Sequence, residues 1–168
     1  MTISMYQASV PVFTRALTNL VTVLEKGAAF AEAKKIEPSV LLDYRLAADM
    51  FPLTRQVQIA TDMAKGCIAR LGGQEPPKYE DNEASFPELI ARLRKTIDFI
   101  SSFSASQIDG TEDKIITLQR KDTQVTYKGL PYLLSYVQPN VYFHCTTTYA
   151  ILRHVGVEIG KQDFVGKL

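Results

Sequence analysis

The sequence predicts an all-α fold, a four-helix bundle with a small β-hairpin before its last helix, as one domain over residues 1–168. Two observations carry that prediction. Four long segments place apolar residues at spacings of three and four, each a stripe that must be buried against another helix. Between the third and fourth, one short stretch alternates with period two instead. The composition suits such a core: 46% of the residues are hydrophobic and 22% charged, in a chain of 168 residues that needs no staple.

The first helix is expected from residue 4 to about 33. Ser4 caps it, Tyr6, Val10, Phe13, Leu17, Leu20 and Leu24 form its stripe, and Pro11 falls in its second turn. A short helical turn is expected over Val40–Asp43, followed by the irregular YRLAADMF. The second long helix is expected from Pro52 to Leu71, with Asp49 capping from upstream and Gly72-Gly73 ending it. Leu53, Val57, Ile59, Ala60, Met63, Ala64, Cys67, Ile68 and Leu71 share its apolar side. Arg55, Gln58, Asp62 and Lys65 are placed on the wet side. Gln56 falls on the Ile59–Met63–Cys67 side and is the unexpected inward polar group.

Residues 74–84 read as a loop with Pro-Pro and a run of acids. Ser85-Phe86-Pro87-Glu88 is a helix start: a capping serine, a glutamate three residues on, and a proline in the first turn. That third helix is expected to run to about Phe103, burying Phe86, Leu89, Ile90, Leu93, Ile97 and Ile100, with Arg92, Arg94, Lys95 and Asp98 in water. Lys114–Gln119 and Thr123–Lys128 are the expected hairpin, turning at Arg120–Asp122. Pro131 opens the last helical segment, and Pro139 predicts a kink or break near Gln138. A final helix follows to His154, with Gly156 just past its end and an irregular arm over 157–168.

Charge and composition exclude several classes of function. Nineteen Lys and Arg against eighteen Asp and Glu leave a formal +1, without the basic excess of a nucleic-acid protein. No apolar run approaches the ~18 residues of a membrane-spanning helix, and the N-terminus lacks the pattern of a signal peptide. Cys67 and Cys145, one per predicted helix, read as free, buried thiols in a reducing cytoplasm. Cys145 adjoins His144, but neighbouring helical residues point about 100° apart and so do not form a catalytic pair. There is no Ser/His/Asp arrangement, phosphate-binding glycine loop or CxxC, and the sequence assigns no catalytic residue.

The candidate site lies in the stretch Leu130–Gly156, which holds both histidines and four of the eight tyrosines. Leu133, Val137, Val141, Tyr142, Tyr149, Ile151 and Leu152 fit one broad buried face. Asn140, His144 and Thr148, each four apart, lie along one side of the same helix. With Gln56 from the second helix they define a candidate pocket. Two side chains at i, i+4 can reach one metal ion, and here one of the pair is a histidine. The alternatives are a hydrogen-bonded core histidine or His144 as a metal ligand. Tyr132, Tyr136, Tyr142 and Tyr149 could line a small-molecule cavity or simply be core. Tyr44, Asp43 and Asp49 could close one end of a pocket, and His154 is placed near the last carbonyls of its helix.

SMYQASVPVFTRAL, DMFPLTRQVQIATDMAKG, EPPKYEDNE and PNVYFHCTTTYAILRHVGVEIGKQDF together resemble a domain-of-unknown-function family within the DinB/YfiT-like superfamily of metalloenzymes. The resemblance spans essentially the whole chain. It implies an up-down-down-up bundle with a long crossover, a homodimer, and a site where three histidines hold nickel or zinc. Counted back from Gly156, the family's histidine pair falls on Asn140 and His144, and its second-helix ligand near Gln56. The chain therefore keeps one histidine of three. This implies a bundle with a degenerate metal site and no assignable reaction. The alternative is a transferase or isomerase in which a divalent ion (nickel, zinc or iron) held through His144 activates a low-molecular-weight thiol.

Overall fold

The computed structural model describes residues 2–120 and 122–167, apart from the side chain of Arg120. Four long helical segments and one antiparallel hairpin make up most of it. They are α1 (Val10–Lys34), α3 (Leu53–Leu71), α4 (Phe86–Ser101) and a last segment that ends in α7 (Gln138–His154). Shorter helices α2 (Pro38–Leu42), α5 (Ala105–Ile108), α6 (Gly129–Pro131) and α8 (Lys161–Val165) join or flank them. Helix α1 packs against α4, α4 against α3, α3 against α7, and α7 back against α1. Phe13, Leu17, Leu20, Leu24, Leu53, Ile68, Phe86, Leu93, Leu133 and Leu152 meet in the core between them.

Helix α1 begins later than its apolar stripe suggests. Residues 5–9 form turns, and Pro11 sits in the first turn of the helix rather than the second. A proline there would crowd and leave unbonded the carbonyl four residues back, so the regular helix starts just before it. Ser4 and Gln7 instead cap each other's backbone, and Ser9 donates its hydroxyl to Met5 O at 2.6 Å. Helix α3 is preceded by Pro52, with no side-chain cap, so Asp49 does not play that role. Its first amide, that of Leu53, donates to Tyr44 O. At α4 the local chemistry is as read: the Ser85 hydroxyl accepts from the Glu88 amide, and Glu88 reaches back to the amide of Ala84.

The hairpin pairs β1 (Ile115–Arg120) with β2 (Thr123–Lys128), Ile115 opposite Lys128 and Arg120 opposite Thr123. Lys121, part of the expected turn, lies outside the described residues. Ile116 is buried, Lys114 Nζ donates to Leu71 O at the end of α3, and Tyr127 stacks on Tyr136 with ring centroids 5.3 Å apart. Those three contacts seat the hairpin on the helices.

The expected break near Gln138 is a π-helical stretch, Tyr132–Val137, so the chain stays helical from Gly129 to His154. The wider turn makes room just before Pro139, whose ring would otherwise clash with the preceding turn. Gly156 takes φ 101°, the left-handed conformation that ends α7. Beyond it the arm is not irregular. Val157 and Ile159 are buried, and residues 161–165 form α8 against α1.

Candidate functional site

Helices α3 and α7 pack along their length, which brings the first turn of one beside the middle of the other. Gln56, 1% exposed, meets His144, 8% exposed, with Oε1 2.7 Å from Nδ1. Gln56 Nε2 is committed elsewhere, donating to Phe51 O at 3.0 Å. A backbone carbonyl can only accept, so the amide nitrogen must face it and the amide oxygen must face the imidazole. The imidazole then donates from Nδ1. Burial first, and the nearby Arg55 charge second, hold the His144 pKa below its usual value. The ring is therefore neutral near pH 7 and carries its lone pair on Nε2. No described residue bonds that nitrogen, and among the described residues no buried side-chain nitrogen or oxygen lacks a partner. Nε2 therefore reaches solvent.

The other two residues of the polar stripe turn back on their own helix. Asn140 Nδ2 donates to Tyr136 O at 2.7 Å, and the Thr148 hydroxyl donates to His144 O at 2.9 Å. Thus the structure brings together Gln56 and His144, while Asn140 and Thr148 satisfy local carbonyls. The four tyrosines have different surroundings, although Tyr132 and Tyr136 stack on one another with ring centroids 5.9 Å apart. Tyr132 is buried, accepts a bond from Arg70 at 3.1 Å and has its pKa pushed up to about 12 by burial. Tyr142, placed on the buried face by periodicity, is 42% exposed because that side of α7 faces outward between α1 and α8. Tyr149 stands edge-on to Phe164. His154 lies 5.8 Å from the Tyr44 ring, and Asp43 lines a surface pocket with Arg55 and Gln58. Both thiols are buried, and burial pushes up the pKa of each, that of Cys145 to about 12.

A transition metal of the kind the resemblance implies needs several imidazole, thiolate or carboxylate donors around one point. Here the set is one imidazole and two carboxamides. The Gln56 oxygen accepts from His144, and the Asn140 amide is bonded to Tyr136. Among the described residues no three His, Cys, Asp or Glu side chains cluster as ligands. The donor set does not fit such an ion.

One polar centre escaped the periodicity altogether. Arg92, expected in water, is 4% exposed and donates to Thr61 Oγ1 at 2.8 Å, Asp62 at 2.9 Å, and Glu83 and Glu80 O at 3.0 Å. Asp81 pairs with it at 3.0 Å. Lys65 and Gln58, also expected in water, are buried beside it. Lys65 pairs with Asp62 and lies 4.2 Å over the Tyr79 ring, and Gln58 donates to Glu83. All three are buried because the loop of residues 74–84 folds over this side of α3 and α4. The acids clustered in that loop were the one available signal, since so many carboxylates must find cations.

The fold and the site define a mostly helical protein in which a buried histidine is hydrogen-bonded to a glutamine of the facing helix. Residues 5–165 match the family described as Domain of unknown function (DUF1993), and the chain belongs to that family. It is also similar to the crystal structure of a DinB family member protein from Shewanella denitrificans. The two are 40% identical with a TM-score of 0.87, over 97% of this chain and 92% of that one. No curated protein matches it. No helix among the described residues is long and apolar enough to cross a membrane.

Proposed function

We propose that this chain is an up-down-down-up four-helix bundle, assembled as a homodimer, whose DinB-type metal position has become a metal-independent, non-catalytic binding or structural site. The observation that supports this reading is the Gln56–His144 hydrogen bond. A family ligand position is taken by an amide, and that amide's oxygen is consumed by the one remaining histidine. The pair satisfies its own buried polar atoms and so holds α3 to α7 without an ion. The thiol-using transferase or isomerase reading needs more donors than His144 supplies.

Elemental analysis by mass spectrometry tests the proposal on untagged protein, before and after incubation with nickel, zinc and iron, beside His144→Ala. Metal-free protein in every case supports it. Near-stoichiometric metal that disappears in the variant would overturn it and reopen the thiol-dependent enzyme.

A further inference from the structure

Helix α8 is secured unusually for so short an element. None of its five residues is buried. Polar clamps from α1 hold it instead: Arg15 donates to Val165 O at 3.2 and 3.1 Å and to Lys167 O at 3.1 Å, and Asn19 donates to Phe164 O at 3.0 Å. Lys26 pairs with Asp163 at 2.6 Å, and Asp163 also binds the Gly160 amide that starts the helix. Of its apolar side chains, Phe164 is partly packed against the core and Tyr149, and Val165 is left largely uncovered.

Those side chains face a cavity. Val12, Ala16, Tyr142, Phe164 and Val165 line a space of about 260 Å³ between α1, α7 and α8, with Arg15 and Asn19 also in its wall. Its surface is mainly apolar, Ala16 leaves room on the α1 side, and Val165 and Tyr142 are both 42% exposed. The Tyr142 hydroxyl has no partner among the described residues. Arg15 is the one ionisable cation in the wall and, with Nε and Nη2 engaged by carbonyls, keeps Nη1 for a further acceptor. The volume falls just below the ~300–1,000 Å³ of drug-sized sites, which limits an occupant to one ring or a branched chain with a short polar arm.

We propose that this cavity binds a small aromatic or branched-aliphatic carboxylate. Its apolar body fills the space between Tyr142, Ala16 and Phe164, completing the burial that α8 lacks. Its carboxylate meets Arg15, as anions do at guanidinium groups, with the Tyr142 hydroxyl as a second donor. The site is separate from His144 and does not depend on the metal question.

Phenylacetate is the probe and 2-phenylethanol its uncharged counterpart, titrated into the full chain with backbone amide shifts followed by NMR. Saturable shifts are expected around Ala16, Tyr142 and Phe164, with phenylacetate binding about tenfold or more tighter than the alcohol. Ala16→Leu, which fills the cavity, should abolish both. Arg15→Met should remove the preference for the acid. Because Arg15 also anchors the C-terminal arm, Ala16→Leu decides the matter if that variant fails to fold. Absence of saturable shifts, equal affinity for the two probes, or binding that survives Ala16→Leu would each overturn the proposal.

Discussion

The Arg92 guanidinium of α4 reaches the Asp62 carboxylate of α3 at 2.9 Å, and the same carboxylate also holds Lys65. Around that contact the loop of residues 74–84 is held to the helices. Among the described residues, no backbone-to-backbone hydrogen bond involves 75–84, so its order rests on side chains such as Glu83, Asp81 and Tyr79. Replacing Arg92 by Met should remove the shared cation from three carboxylates, leaving Asp62 to Lys65, Asp81 to Arg55 and Glu83 to Gln58, and take away the donor to the Thr61 hydroxyl. Removing one partner of a buried pair costs about 3–5 kcal/mol. Because Asp62 and Asp81 keep 38% of their side-chain surface, about 2–3 kcal/mol is expected here. Urea denaturation of wild type and variant measures it, and Arg92→Lys should recover little, since an ammonium cannot reproduce the fork.

The Gln56–His144 pair makes stability pH-dependent with a definite sign. The folded pKa of His144 lies below its ordinary value, so on acidification the unfolded chain takes up this proton first. The contribution is full above the unfolded value of about 6.5 and is lost as pH falls from there towards the folded value. The urea midpoint of the wild type should therefore drop between pH 7 and 5 by more than that of His144→Phe. A parallel decline in the two proteins would show that His144 is not the titrating group.

Gly129 joins the hairpin to the last helical segment where backbones almost touch. A Cβ added there would stand 2.0 Å from Thr111 O, and a backbone carbonyl cannot swing away as a side-chain end can. Gly129→Ala should lower stability by about 1–3 kcal/mol or more, the range of overpacked sites. Gly160→Ala, which meets nothing within 4 Å, is the control and should leave the melting temperature nearly unchanged.

The two thiols should be inert in the native protein. Cys67 and Cys145 are buried, and burial disfavours the thiolate that reacts. A disulfide-exchange reagent at pH 8 should titrate neither cysteine in the folded chain and both in denaturant. Rapid labelling of one native thiol would contradict the buried placement.

How legible each feature was follows from its range along the chain. Ser85 and Glu88 were readable because a capping box is completed within three residues. Gly156 was readable because one backbone conformation ends the helix there. The inward turn of Gln56 followed from helical period alone, yet the period could not say that its amide would meet His144, 88 residues away. Periodicity sent Arg92, Lys65 and Gln58 to water because it sees one helix at a time. The loop that buries them comes from elsewhere in the chain. Pro139 announced an irregularity, but whether the chain would break or widen into a π turn depended on the packing around it.

By itself, then, the sequence determined the helices, the hairpin and most of the apolar faces, all set by local sterics and the period of burial. Only the tertiary structure decided which polar groups pair, which tautomer His144 adopts, and that α8 walls a cavity on α1. Those outcomes depend on distances between segments remote in the chain, where a shift of an ångström separates a hydrogen bond from none.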